Sequence, residues 1–304
     1  MSSSPTIFDR ALYRNLRTRI QPGLRKHDFL INLAVDNIID RIDIIKKQFP
    51  RPLITDISRL RKDQISRIGQ GAGAQMIYAM TLNEKTRQTT PDVSELAGDE
   101  ELLPFGRNSL DAVISILSLQ TVNDLPGALI QVNYALKPDG LFLGVMFGGE
   151  TLYELRTTIT EAESALHGRV SPRIHPFADK QQMGALMQRA GFALPVVDSD
   201  IVRVTYTSLS DLMQDVKGMG ENNILLQRSR FCPGKTFFEE TENLYRKYFS
   251  DGFGRLEACF ELIYLIGWAP SNSQQKPLRP GESSHRLAEF LQTREVAIKG
   301  SRQK

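Results

Sequence analysis

Residues able to do chemistry are sparse in this chain and mostly far apart. The four histidines, His27, His167, His175 and His285, are scattered along 304 residues, and none shows the two-histidine, one-carboxylate spacing of a non-haem iron site. Separation in sequence leaves convergence in space open. Cys232 and Cys259 are the only cysteines, and neither has a second Cys or a His at metal-ligand spacing. No metal site or disulfide framework is therefore expected, and both thiols are expected to be buried and reduced.

Two short stretches offer more. Residues 56–62 (DISRLRK) follow the β-prone run 53–57, at the turn where a strand of an α/β sheet would meet a nucleotide-like ligand. That turn has no glycine, whereas a phosphate- or nucleotide-cradling turn needs glycines for close backbone approach and positive φ. Taken alone, it reads as an empty site. Arg59, Arg61 and Lys62 could instead form a basic rim for an acidic partner or anion, or simply be exposed charge. Residues 98–105 (GDEELLPF) put acids ahead of an apolar anchor where a third strand should end. Those carboxylates could accept bonds from a ligand amine or hydroxyl, or form a solvated turn.

The elements that must position these groups are those of an ordinary soluble protein. Apolar residues make up 41% and charged residues 24%, enough for one large or two small domains and unlike a disordered or collagen-like chain. A net charge of +3 is too small to predict a nucleic-acid partner, and no apolar stretch approaches the roughly 18 to 20 residues that cross a bilayer, so no membrane insertion is expected. Residues 1–6 run straight into Ile7-Phe8-Asp9-Arg10 without an apolar signal core or an Arg/Ser-rich presequence, which points to an intracellular, reducing compartment.

Arg10, Arg14 and Arg17 share one helical face, followed by Arg19, Arg25 and Lys26, and a solvated face is expected there. From Asp28, apolar residues at helical spacing through Ile45 predict one amphipathic helix stopped near Pro50 and Pro52. Strands are predicted at 53–57, 76–80, 110–119 and 141–146. The third of these is almost continuously apolar, as in the interior of a parallel sheet. Helices are predicted at 125–136, broken by the KPDG turn at 137–140, and then at 151–166 and 179–190. Two strands, 195–198 and 202–206, should close an α/β domain near 206. Helices at 209–219 and 235–249 follow, and a strand at 259–268 should return to the same sheet. The domain reading is a helical lead-in over 1–49, a core over 50–206, a helical insertion and returning strand over 207–268, and an extended tail with a short helix and basic end over 269–304.

Residues 98–105, then SILSLQTVNDLP (115–126) and LKPDGLFLGVMFGGETLYEL (136–155), resemble a branch of the class I S-adenosylmethionine-dependent methyltransferases. That branch includes a mitochondrial methyltransferase-like complex I assembly factor that is an arginine hydroxylase, and bacterial relatives similar to the biotin-pathway malonyl-carrier-protein methyltransferase. IFDRAL (7–12), SPRIHPFAD (171–179), RAGFALPVVDSD (189–200), GMGENN (218–223) and IYLIGWAPSNSQQKPLRPG (263–281) extend the likeness over most of the chain. The C-terminal run is similar to the bacterial members, which implies a bacterial cytoplasmic protein ahead of one from the mitochondrial matrix.

The resemblance implies a Rossmann-like, mostly parallel seven-stranded sheet with helices on both faces, an N-terminal helical lead-in and a C-terminal extension. It assigns S-adenosylmethionine contacts to Asp56 at the end of the first strand, to Asp99 and Glu100 beside the adenine, and to Ser118 and Leu119. Tyr153 and His175, in family-like segments, become candidates for contact with a protein or small-molecule methyl acceptor. The departures are specific: Ser58, Leu60 and Lys62 stand where the family has glycines, Met80 where an acid holds the ribose, and Gln120-Thr121 where relatives have His-Trp. A side chain at a positive-φ glycine position costs roughly 1 to 2 kcal/mol and a lost ribose contact roughly 1 to 3, together about one to four decades of cofactor affinity. Three readings follow: a methyltransferase with a divergent loop, a non-catalytic assembly or scaffold protein acting on a respiratory complex I subunit, and an arginine hydroxylase-like activity.

Overall fold

The computed structural model describes residues 6–20, 26–82 and 92–275. Arg25, His285 and the predicted tail helix and basic end lie outside the described residues, as do residues 276–281 of the family-like C-terminal run. The chain divides into a unit of residues 1–270 and a second of 271–304. The described start of the second is a short turn in which Ser271 N donates to Gln274 Oε1 at 3.1 Å.

In chain order the elements are α1 (Arg10–Ile20), α2 (Phe29–Ile45), β1 (Pro52–Thr55), α3 (Lys62–Gly71), β2 (Ile77–Thr81), β3 (Val93–Ala97), β4 (Leu110–Ile116), α4 (Leu125–Ala135), β5 (Leu136–Phe147), α5 (Tyr153–His167), α6 (Lys180–Arg189), β6 (Ala193–Tyr206), α7 (Leu209–Gly218), α8 (Lys235–Phe249) and β7 (Leu256–Trp268). The seven strands form one sheet in the order β3-β2-β1-β4-β5-β7-β6, parallel except that β7 runs antiparallel to both of its neighbours. Successive side chains on a strand point to opposite faces. Leu53, Val113, Phe142 and Leu265 therefore pack on one face with α4 and α6, while Ile54, Ile114, Leu143 and Tyr264 pack on the other with α2, α3, α5, α7 and α8.

Several expected boundaries move. The predicted strand at 110–119 ends at Ile116, because Leu117 takes a left-handed φ of 51° and the chain turns into a 3-10 turn at Leu119–Thr121. The KPDG turn does end the preceding helix but stays within β5, absorbed by a register shift opposite Leu110 and Ala112. The two strands expected at 195–198 and 202–206 are one, because Asp198, Ser199 and Asp200 keep their ladder positions against Tyr264, Ile263 and Leu262. Cys259 is buried in β7, but Cys232, expected to be buried, is exposed in the loop ahead of α8, where no sheet or helix face covers it.

The N-terminal segment is fastened across the carboxyl ends of the parallel strands. Asp9 N donates to Ile224 O and Leu226 N to Ile7 O, an antiparallel clasp onto residues 224–226. Asn123 Oδ1 accepts from both Ile7 N and Phe8 N. This clasp lays α1 over the ends of β1, β3 and β4, which corrects the expectation of a solvated arginine face: Arg10 and Arg17 point inward, and of the three only Arg14 is exposed.

Candidate functional site

At the end of β1 the chain turns sharply. Asp56 takes a left-handed φ of 42°, and its Oδ1 accepts from Ser58 N and Ser58 Oγ, closing the turn locally. Its Oδ2 accepts from the Tyr13 hydroxyl at 3.1 Å, and Arg17 donates to the same hydroxyl at 2.6 Å while its Nε lies 3.8 Å from Asp56 Oδ2. Tyr13 is sandwiched by cations, with the Arg10 and Arg17 guanidiniums 4.9 and 4.3 Å from its ring centroid. Burial pushes the Tyr13 hydroxyl well above its ordinary value, so it stays a neutral donor. Burial opposes the charge on Arg17, but Tyr13 and Asp56 hold its proton more firmly than usual.

Around the end of β3, Arg10 donates to Asp99 at 2.5 Å and to Glu100 at 3.1 Å, and it also reaches the backbone oxygen and hydroxyl of Thr121. The acids at 98–105 thus serve neither a solvated turn nor an open ligand face; they receive a guanidinium from the same chain. Burial, reinforced by Asp56, raises the Glu100 carboxyl above its ordinary value, against the pull of Arg10. Met80 folds against Gly98, where a Cβ would come within 2.6 Å of its sulfur.

A third cluster joins the first turn to the segment after α7. Arg59, 2% exposed, donates to Glu221 at 2.5 Å, and Gln120 Nε2 donates to the same carboxyl oxygen at 3.2 Å. Burial pushes the Glu221 carboxyl up, opposed by Arg17, His175 and the Gln120 bond. His175 accepts from Ile224 N on Nε2, which assigns the proton to Nδ1, 3.9 Å from Glu221 Oε2. Burial lowers the His175 value, so the ring is neutral near pH 7. The basic rim expected of Arg59, Arg61 and Lys62 does not form. Arg59 is buried against Glu221 and Arg61 pairs with Asp28 and Asp63, so Lys62 alone of the three is an exposed cation without an ion pair among the described residues.

The structure brings Asp56, Asp99 and Glu100 together under α1. Ser118, bonded to Ser115 Oγ at 3.0 Å, and Leu119 lie within the core at the end of β4. His175 joins the same region through Glu221. Tyr153 does not: it is 38% exposed at the start of α5, its ring edge-on to Phe249 at 5.6 Å. Sequence reasoning missed Tyr13 and Glu221 as site residues, although Tyr13 directly follows the family-like segment 7–12 and Glu221 lies within the segment 218–223. Two buried guanidiniums, Arg17 and Arg59, and the half-buried one of Arg10 therefore face four carboxyls, Asp56, Asp99, Glu100 and Glu221.

The residues present do not fit S-adenosylmethionine in this arrangement. Asp56, Glu100, Ser118 and Leu119 are each at most 3% exposed, so the surfaces meant to front a cofactor are covered by the chain's own side chains. Ser58 and Leu60, in place of loop glycines, are also buried. A cofactor would have to displace Tyr13 and two paired guanidiniums.

Residues 68–144 match a methyltransferase domain family. The YcgJ protein of Bacillus subtilis superimposes with a TM-score of 0.55 at 13% identity, covering 79% of this chain and all of that one. Malonyl-[acyl-carrier protein] O-methyltransferase of Xylella fastidiosa is 28% identical over 93% of this chain and 94% of its own. Arginine-hydroxylase NDUFAF5, mitochondrial, is 38% identical in mouse over 97% of this chain and 88% of its own, and 38% identical in human over 95% and 85%. Sheet order and site position define a class I S-adenosylmethionine-dependent methyltransferase-like protein, as the sequence resemblance implied. Within that class, the chain belongs to the arginine-hydroxylase NDUFAF5 family.

Proposed function

We propose that this chain works as an assembly factor on a protein partner, of the respiratory complex I type, and does so without S-adenosylmethionine in its methyltransferase-like fold. The observation that carries this reading is the closure of the strand-end cleft by Tyr13, Arg10 and Arg17, each paired to the carboxylates that would otherwise meet a cofactor. A partner is then recognised by surface, and no nucleic acid is required. The bacterial cytoplasm is the compartment proposed, on the likeness of the C-terminal run; among the described residues no helix is long and apolar enough to cross a membrane.

Isothermal titration of stripped protein with S-adenosylmethionine and with its demethylated product tests the reading. No heat of binding is expected at millimolar ligand. Saturable micromolar binding that weakens in Asp99→Ala would overturn the proposal and return the search to a protein or small-molecule methyl acceptor.

Modification of a protein arginine is the second reading, favoured by Glu221. Its Oε2 is buried with no hydrogen-bond partner and lies at the wall of an apolar pocket, where a carboxylate suits a guanidinium. Mass spectrometry of copurifying proteins from cells with and without the chain tests it. An arginine heavier by one oxygen only when the chain is present would establish it, and unmodified partners in both would remove it.

A further inference from the structure

Two adjoining depressions lie beside α5, α7 and α8, the first of them bordered by Glu221 and His175 of the buried network. One is a pocket of about 310 Å³ walled by Leu155, Ile159, Ile174, Val216, Phe237 and Phe238, with Glu221 and His175 in its lining. The other is a groove of about 590 Å³ whose lining includes Arg169, Arg173, Arg228 and Arg230, the carboxylate of Glu163 and the exposed ring of Phe231. Arg173 and Pro233 line both, so the two are continuous.

The charge in the groove is not self-neutralised. Arg173 pairs with Glu163 and Arg228 with Asp9, but Arg169 and Arg230 are exposed and make no ion pair among the described residues. Arg173 stacks on Phe237 at 4.8 Å, and its Nε is buried without a hydrogen-bond partner where pocket and groove meet. An unpartnered donor on a residue that lines the same groove as two exposed guanidiniums suits an anionic acceptor from outside the chain.

We propose that pocket and groove together bind an anionic amphiphile: a hydrocarbon chain in the pocket and a carboxylate or phosphate head on Arg169, Arg173 and Arg230. The pocket is of small-molecule size and its walls are mostly apolar, with a few polar residues among them, as such sites are. A cationic head would meet the free guanidiniums, and an acidic protein surface would leave the pocket empty. This site stands whether or not S-adenosylmethionine binds at the strand ends.

The test is calorimetric titration of the full chain with decanoate, decyl phosphate, decanol and decyltrimethylammonium below their micellar ranges. Saturable binding of decanoate or decyl phosphate is expected, with the tighter of the two identifying the head group. Decanol should bind at least about tenfold more weakly, the value of one charge-assisted bond, and the cation not at all. Arg169→Gln with Arg230→Gln, both on the surface, should weaken the anions by at least about tenfold and leave decanol unchanged. Ile159→Trp, with folding checked by circular dichroism, should fill the pocket and abolish binding of the anions. Equal binding of decanol and decanoate, or anion binding indifferent to either variant, would overturn the proposal. So would an acidic peptide without apolar residues that binds as tightly and ignores Ile159→Trp.

Discussion

Arg59→Met tests most directly whether the first turn has become a structural lock. Arg59 is 2% exposed and its partner Glu221 has a side chain 7% exposed, so the substitution strands a buried carboxylate. Breaking a buried pair from one side costs about 3 to 5 kcal/mol, against about 0 to 1 for a surface pair. The Gln120 bond and nearby His175 and Arg17 remain, which puts the expected loss near the lower end, about 3 kcal/mol. With an m-value of about 3 kcal/mol/M, the urea midpoint should fall by roughly 1 M. Glu221 also fixes the sign of the pH dependence. A carboxyl raised in the folded state supports stability while protonated, and that support is lost as pH rises from the unfolded value, about 4.3, through the folded one. Removing Arg59 raises Glu221 further, so the variant's deficit should be smaller at about pH 5 than at about pH 8. Arg59→Met with Glu221→Leu should recover most of the loss, since an apolar pair replaces the ionic one. A cost below about 1 kcal/mol, or equal deficits at both pH values, would refute the argument that a buried guanidinium fills the cofactor loop.

Three further outcomes are expected. Tyr13→Phe, which removes the hydroxyl that donates to Asp56 and accepts from Arg17, should cost about 1 to 3 kcal/mol in thermal unfolding, and a neutral effect would contradict the packing of α1 on β1. Burial opposes ionisation of Glu163, but bonds from Arg173 and Ser171 hold its carboxyl down to about 2. Its contribution should therefore be full above about pH 4.5 and fade as pH falls toward about 2. Melting curves of Glu163→Gln and the parent should converge there, and a constant gap would be the failing result. Cys232 is exposed whereas Cys259 is buried with its thiol pushed up to about 11, so a thiol reagent should label one cysteine in native protein and the second only in denaturant. Two fast thiols would show that β7 is not covered as described.

Most of the sheet is written locally. The apolar runs of β4 and β5 could be nothing but buried strands, and the Asp124 and Asp179 caps mark the starts of α4 and α6, each accepting a backbone bond three residues on. The polar centre of β6 hid its continuity, because at the sheet edge its partner β7 supplies the ladder bonds whatever its side chains are. Cys232 went the other way: its identity suggests burial, yet its loop has no neighbour to bury it.

The composition of the first turn is likewise a sequence property. Against the family resemblance, Ser58 and Leu60 read as departures from a glycine loop, because a side chain where a backbone must approach a ligand is a steric fact that needs no partner. What fills the cleft instead was decided only in three dimensions. Arg10 and Arg17 look solvated when read along one helix, because a helix pattern carries no information about carboxylates 40 or 90 residues away. The clasp of residues 7–9 onto 224–226 turns that face inward, and Asp56, Asp99 and Glu100 become its counter-charges. Burial makes an isolated member of such a pair costly, so the meaning of each charge was set by the partner that folding brought to it.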